Sequence, residues 1–420
     1  MKNIHKKTFD YKWVVIAASF IMIFTTLGFC SSTKRLFIGP ITEAMGIPRG
    51  VYSINDSCRY ISLLIMNLFF GTLVAKFGPR KLIGFGFLAL IASMLTYSYA
   101  TNVVMLYVGG GFLGLGLTMT TTSMVGYVVN IWYKEKRGTI MGAILCANGI
   151  GGALAMQILN PIVIQDFRLA YRVVAVVLLV VGVFVVAVFR DAPKGTELPQ
   201  HGARKPKGNT WSGIALKDAL KKPYFYSIAI CIFLTGMCLQ STVSVDYQHM
   251  IDKGMDGNFA TWAISIASVA LAACKFLVGA CNDWKGLKFT MLICSIAAVA
   301  MMLMLAFASD SALGRGLAVG YSLFSALALP LETIMLPLIA ADLFGEKEYG
   351  RIVGVLVSIN TAGCAVGPVL TNFVYDKIGL YGPILYVCSG VMVITIIVFL
   401  MSQKLANEVK KEVALRETAR

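Results

Sequence analysis

From Ile378 to Gln403 no side chain carries a charge, and an apolar run of that length limits what the chain can fold into more than any motif does. A helix of about 20 apolar residues crosses the roughly 30 Å hydrocarbon core of a bilayer. Comparable runs stand at Trp13 to Thr33 and at Val173 to Phe189, the latter bounded by Arg172 and Arg190. In lipid only a helix or a closed barrel satisfies its own backbone, and runs this long suit helices. With 57% hydrophobic and 14% charged residues in 420, the chain has more apolar surface than a soluble core could bury.

Dividing the chain on this basis predicts spans near 13–33, 50–74, 82–100, 103–131, 139–162, 172–189, 223–245, 258–282, 289–307, 316–341, 352–374 and 383–402. The net charge of +16 would suggest nucleic-acid binding in a soluble protein, so the placement of the bases matters. Of the 37 Lys and Arg, 27 fall in the two termini and the even-numbered loops between spans. That bias is an orientation signal, which needs no nucleic acid and puts both termini in the cytoplasm of a bacterial inner membrane. The basic N-terminus leads into an apolar stretch too long for a removable signal and is expected to be the first span. The cysteines are scattered without a C-x-x-C pair, so no disulfide framework or metal site is expected.

The longest polar stretch, 190–222, divides the spans six and six, which predicts a first bundle over 1–189, a cytoplasmic linker, and a second bundle over 223–420. An internal repeat supports this division. Gly138, Gly142, Asn148, Gly151 and Asn160 recur as Gly350, Gly354, Asn360, Gly363 and Asn372, each displaced by 212. At a displacement of 208, Gly71, Gly78 and Arg80 recur as Gly279, Gly286 and Lys288. Parallel halves of this kind suit a carrier that holds its substrate at the midplane between them.

The segment 71–81, with Gly71, Gly78, Arg80 and Lys81, resembles the signature G-x-x-x-D-R/K-x-G-x-R/K-R/K of the major facilitator superfamily. The second copy, Gly279 to Lys288, keeps the signature acid at Asp283, whereas the first has Ala75. The resemblance implies an all-α membrane protein of twelve transmembrane helices in two six-helix bundles. It also implies that Gly71, Gly78, Arg80, Lys81, Gly279, Asp283 and Gly286 form a cytoplasmic gate. Within that superfamily the chain is most similar to the monocarboxylate transporter and oxalate/formate antiporter branch. Lys275 stands four positions before Gly279, as the basic residue does there, and 344–350, Gly367-Pro368 and Asp376 to Tyr381 resemble its eleventh-span region. The chain departs from that branch at Leu271, where an acid is usual, and at Ser31, where the first-span lysine would align. The eleventh span holds no lysine, so two-point binding of a small dicarboxylate is not supported.

Charges at membrane depth are costly unless paired, hydrated or functional. Asp56, Arg59, Lys275 and Glu332 fall inside predicted spans, with Lys34 and Arg35 near the outer end of the first. Lys275 either lines a central cavity or extends its amine to the cytoplasmic loops. Arg59 and Asp56, three apart on one helix, can pair locally, or Arg59 can take an anion or act as a mobile gating partner. Glu332, between Pro330 and Pro337, is either a proton-exchanging acid or the structural partner of a base. Four bases against two acids favour an anionic substrate in a low-dielectric cavity. Substrate contacts are expected from Lys275, Arg59, Lys34, Asn360, Tyr127 and Gln240, and proton coupling or charge pairing from Glu332 and Asp56.

The three histidines, His5, His201 and His249, fall in predicted loops or a tail, and no nucleotide loop or paired acids accompany them, which excludes an enzyme and any cofactor. The expected function is secondary transport of a small organic anion, a monocarboxylate, by symport with protons or by exchange, with a monomer as the working unit. The alternative is proton-driven export of an amphipathic compound.

Overall fold

The computed structural model describes residues 11–133, 137–191, 214–345 and 348–418. Among them, twelve helices are long and apolar enough to cross a membrane. They are α1 (Tyr11–Met45), α2 (Arg49–Phe77), α3 (Pro79–Ser98), α4 (Val103–Val129), α5 (Ile140–Gln165), α6 (Phe167–Val188), α7 (Pro223–Val243), α8 (Gly257–Asn282), α9 (Trp284–Ala306), α10 (Ala312–Thr333), α11 (Arg351–Ile378) and α12 (Gly382–Glu408). Shorter helices follow α7 at Asp246–Asp252 and α10 at Met335–Phe344. Most of the expected linker lies outside the described residues.

Two expected spans end differently. The first was to stop at Thr33 before two charges, yet α1 continues through a 3-10 turn, Ser32–Phe37, to Met45. It can do so because Lys34 and Arg35 meet carboxylates inside the protein. The tenth breaks where Pro330 starts a short turn, and resumes at Met335. His249, expected in a loop, is buried in the short helix after α7 and takes Leu305 O at 3.0 Å from its Nε2. Burial pushes its imidazole down to about 4, so it is neutral at pH 7.

The repeat is structural as well as sequential. A side chain at Gly151 on α5 would strike Phe24 O of α1 at 2.3 Å, and one at Gly363 on α11 would strike Phe233 O of α7 at 2.1 Å. The same close crossing therefore occurs in both halves, and only a missing Cβ permits it. Gly78 and Gly286, also repeat-related, both adopt positive φ, at 80° and 81°, where the chain turns from α2 to α3 and from α8 to α9.

The halves meet along two helix pairs, α2 against α11 and α5 against α8. Ser57 Oγ donates to Ala365 O at 2.6 Å in the first pair, and Gln157 Nε2 to Ser265 Oγ at 3.1 Å in the second. The same faces run on toward the even-numbered loops, where, among the described residues, Gly71, Gly142, Gly279 and Gly354 have no neighbouring atom within 4 Å of an added Cβ. The pairs are thus joined at the odd-loop end and diverge toward the other.

Candidate functional site

A cavity of about 350 Å³ lies between the halves, above the divergence. Its wall from the first six spans carries its charges on α1 and α2, with Thr122 of α4 and Asn148 and Gly149 of α5 completing it. Lys34 Nζ donates to Asp56 Oδ1 at 2.6 Å and to Asn55 Oδ1 at 2.7 Å. Arg59, one turn along α2, brings Nη2 within 3.3 Å of that same Asp56 oxygen and donates from Nη1 to Ser31 Oγ at 3.2 Å. Its Nε is buried and, among the described residues, has no hydrogen-bond partner. Tyr97 holds Asn55 through a 2.7 Å bond from its hydroxyl. One carboxylate therefore serves two cations, and one positive charge stays uncompensated at the wall.

Arg35 turns the other way, across the midline. Its Nη1 pairs with Asp246, and the Tyr321 hydroxyl donates to the same carboxylate at 2.7 Å. Burial pushes the Asp246 carboxyl above its ordinary value, against the pull of Arg35. Asp246 corrects the charge count: the cavity holds three acids, not two, against its four bases. No local sequence signal points to it, because the base it meets stands 211 positions earlier.

The opposite wall carries Glu332 and Lys275. Glu332 accepts from Gln240 Nε2 at 2.9 Å, and Cys364 Sγ lies 3.9 Å from its other oxygen. Among the described residues neither Glu332 nor Lys275 forms an ion pair within 4.0 Å. The structure thus gathers Lys34, Asp56, Arg59, Gln240, Lys275 and Glu332 around one cavity. It separates two other candidates from them. Asn360 donates to Ile232 O at 3.3 Å beside a small hollow of about 20 Å³. Tyr127 packs edge-on to Phe70 at 6.5 Å, outside the cavity lining. Asn148, its Oδ1 buried without a partner among the described residues, lines the cavity instead.

Of the gate residues, Arg80 donates from Nε to Val186 O at 2.7 Å, within its own half, and Lys81 is exposed. The backbone of Arg80 donates to Asp191 at 2.7 Å, so a carboxylate from beyond α6 caps α3 where Ala75 supplies none. The side chain of Asp283 lies outside the described residues.

The cavity's odd-loop end is sealed by ties between the halves. Arg49 forks onto Asp252 at 2.5 and 3.0 Å and lies over the Tyr375 ring at 4.1 Å. Asp376 of α11 accepts from the Arg49 and Gly50 amides at 3.0 and 2.7 Å. It caps α2, whose own N-cap residue, Pro48, supplies no side-chain bond. Tyr247 donates to Asn160 at 2.8 Å. Arg49→Ala should loosen this end. Hydrogen exchange of peptides covering 49–56 is expected to quicken on the order of tenfold, the equivalent of about 1.4 kcal/mol of lost protection. Unchanged exchange would show that Arg49 does not hold the seal.

A bundle of twelve spans enclosing a charged midplane cavity, sealed at one end, defines a membrane transporter and not an enzyme. The sequence profile of the Major Facilitator Superfamily matches residues 15–338 and 247–418, and the chain belongs to that family. It is 23% identical to the agnestins efflux protein of Paecilomyces divaricatus, over 93% of this chain and 87% of that one. It is 21% identical to a sialic acid transporter of Escherichia coli (strain K12), over 81% and 82%. Multidrug resistance protein 2 of Bacillus subtilis (strain 168) is 23% identical over 78% and 80%. The fold is that of the nucleoside transporter NupG, with a TM-score of 0.70 at 15% identity, covering 94% of this chain and all of that one (100%). A bacterial homologue of the lysosomal transporter Spinster, inward-facing and unoccupied, superposes at a TM-score of 0.67 and 15% identity, over 96% and 98%.

Proposed function

We propose that this transporter moves a small organic anion, a monocarboxylate, by alternating access of the halves 1–189 and 223–420. The single observation that carries the proposal is the sharing of Asp56 between Lys34 and Arg59, which leaves one cation and a buried Arg59 Nε to receive a carboxylate. Lys275, on the facing wall, supplies a second attraction, and Glu332 beside Gln240 supplies an acid for proton coupling. The relative named for sialic acid fits an acid as cargo. With the even loops cytoplasmic, as the basic residues favour, the sealed end faces outward from a bacterial inner membrane and the cavity serves exchange with the cell interior. A monomer suffices, since both walls come from one chain.

Export of an amphipathic compound is the second reading, favoured by the names of the agnestins efflux and multidrug resistance relatives. Reconstituted liposomes separate the two. Saturable uptake of one member of a carboxylate panel is expected, lost in Lys275→Ala and stimulated by an inward proton gradient. In Glu332→Gln that stimulation should vanish while exchange persists. Movement of a cationic or neutral amphiphile with no carboxylate uptake would replace the first reading with the second.

A further inference from the structure

On the surface away from the cavity, α3 and α6 leave an apolar groove of about 410 Å³ between them. Its walls are one face of each helix: Gly84, Phe87, Leu88 and Ile91 on α3, and Gly182, Val183 and Val186 on α6. Leu88 and Val183 are 64% and 63% exposed, as residues in contact with lipid are. The α3 face leads back by one turn to Arg80, at the even-loop end of the groove. Its guanidinium is tied by the 2.7 Å bond from Nε to the carbonyl of Val186, itself a wall residue, which leaves its terminal nitrogens for a ligand. Arg190 follows the end of α6 and is steadied over the Tyr11 ring at 4.0 Å, and Lys81 is exposed beside Arg80. Asp191 is the one acid described at this corner, and its Oδ1 is engaged by the Arg80 amide.

The dimensions fit a single leaflet. From Arg80 to Ile91 the helix rises about 16 Å, close to half of a roughly 30 Å hydrocarbon core. We propose that the groove between α3 and α6 holds an anionic phospholipid, its acyl chain against Gly84, Leu88 and Val183 and its phosphate on Arg80 with Arg190 and Lys81 nearby. An apolar channel alone would take any chain. The bases fixed at headgroup depth are what select the negative lipid.

Native mass spectrometry of the detergent-purified full chain, mixed with phosphatidylglycerol or phosphatidylcholine bearing identical oleoyl chains, tests this. The tightest-bound phosphatidylglycerol is expected to be retained about tenfold better than phosphatidylcholine. Arg80→Gln should remove most of that preference. Gly84→Leu should weaken both lipids by filling the groove, and a Cβ there meets nothing closer than Val186 at 3.5 Å, so the helices need not move. Equal retention of the two lipids, or preference unchanged in both variants, overturns the proposal. A dimer of the chain that Gly84→Leu abolishes also overturns it, by assigning the groove to a second copy.

Discussion

Replacing Arg59 by alanine is expected to lower the kcat/KM of carboxylate uptake on the order of 100-fold, because truncating one side of a buried charge contact costs about 2–5 kcal/mol. The residue is 8% exposed and its guanidinium nitrogens differ in their contacts: Nη2 lies near Asp56, Nη1 donates to Ser31, and Nε has no partner among the described residues. Removing it leaves Lys34 and Asp56 as a neutral pair at 2.6 Å, and that wall loses its surplus charge. Arg59→Lys should recover little, since an ammonium cannot touch Asp56 and present a planar fork to a carboxylate at once. Initial rates in liposomes, corrected for the amount of folded protein inserted, give the measurement. Uptake within a factor of three of the parent would sink the assignment of Arg59 to the substrate.

The second large effect is on stability. Asp56→Leu leaves Lys34 and Arg59 buried together with no counter-charge, and breaking a buried pair in this way costs about 3–5 kcal/mol. A combined Lys34→Met and Asp56→Leu change restores the net charge of the cluster, leaving Arg59 alone with Ser31. It should recover more than half of the loss, because the penalty lies in the unpaired cation and not in the absence of the bridge. Unfolding in mixed micelles reads both variants. If Asp56→Leu is within about 1 kcal/mol of the parent, the cluster is hydrated and its electrostatics are weaker than its burial implies.

Much of the architecture was open to sequence reasoning, because span length, the basic bias of alternate loops and a five-position repeat are local or periodic signals. The departure at the first span has an electrostatic cause. Lys34 and Arg35 read as the end of a span because the partners that neutralise them, Asp56 and Asp246, stand 22 and 211 residues away. Burial of a charge is decided by what the fold brings to it. For the same reason nothing in the local sequence marks Asp246, just beyond the expected end of the seventh span, as a cavity acid. Periodicity also failed to say which face of a helix meets the cavity. Thus Gln240 lines it while Asn360 turns to Ile232 O, and Asn148 stands at the wall where its repeat partner does not.

The four glycines at the unjoined end carry a further consequence. A glycine inside a helix costs about 1 kcal/mol relative to alanine. Yet Gly71, Gly142, Gly279 and Gly354 confer nothing in this conformation, where an added methyl group would touch no atom of the described residues within 4 Å. Each lies on a face that, about two to four turns away, presses against the opposite half. Under alternating access, their bareness is the imprint of a second shape left in the first. Side chains placed there would go unnoticed by any probe of the conformation described, and would be felt only as a carrier slow to return.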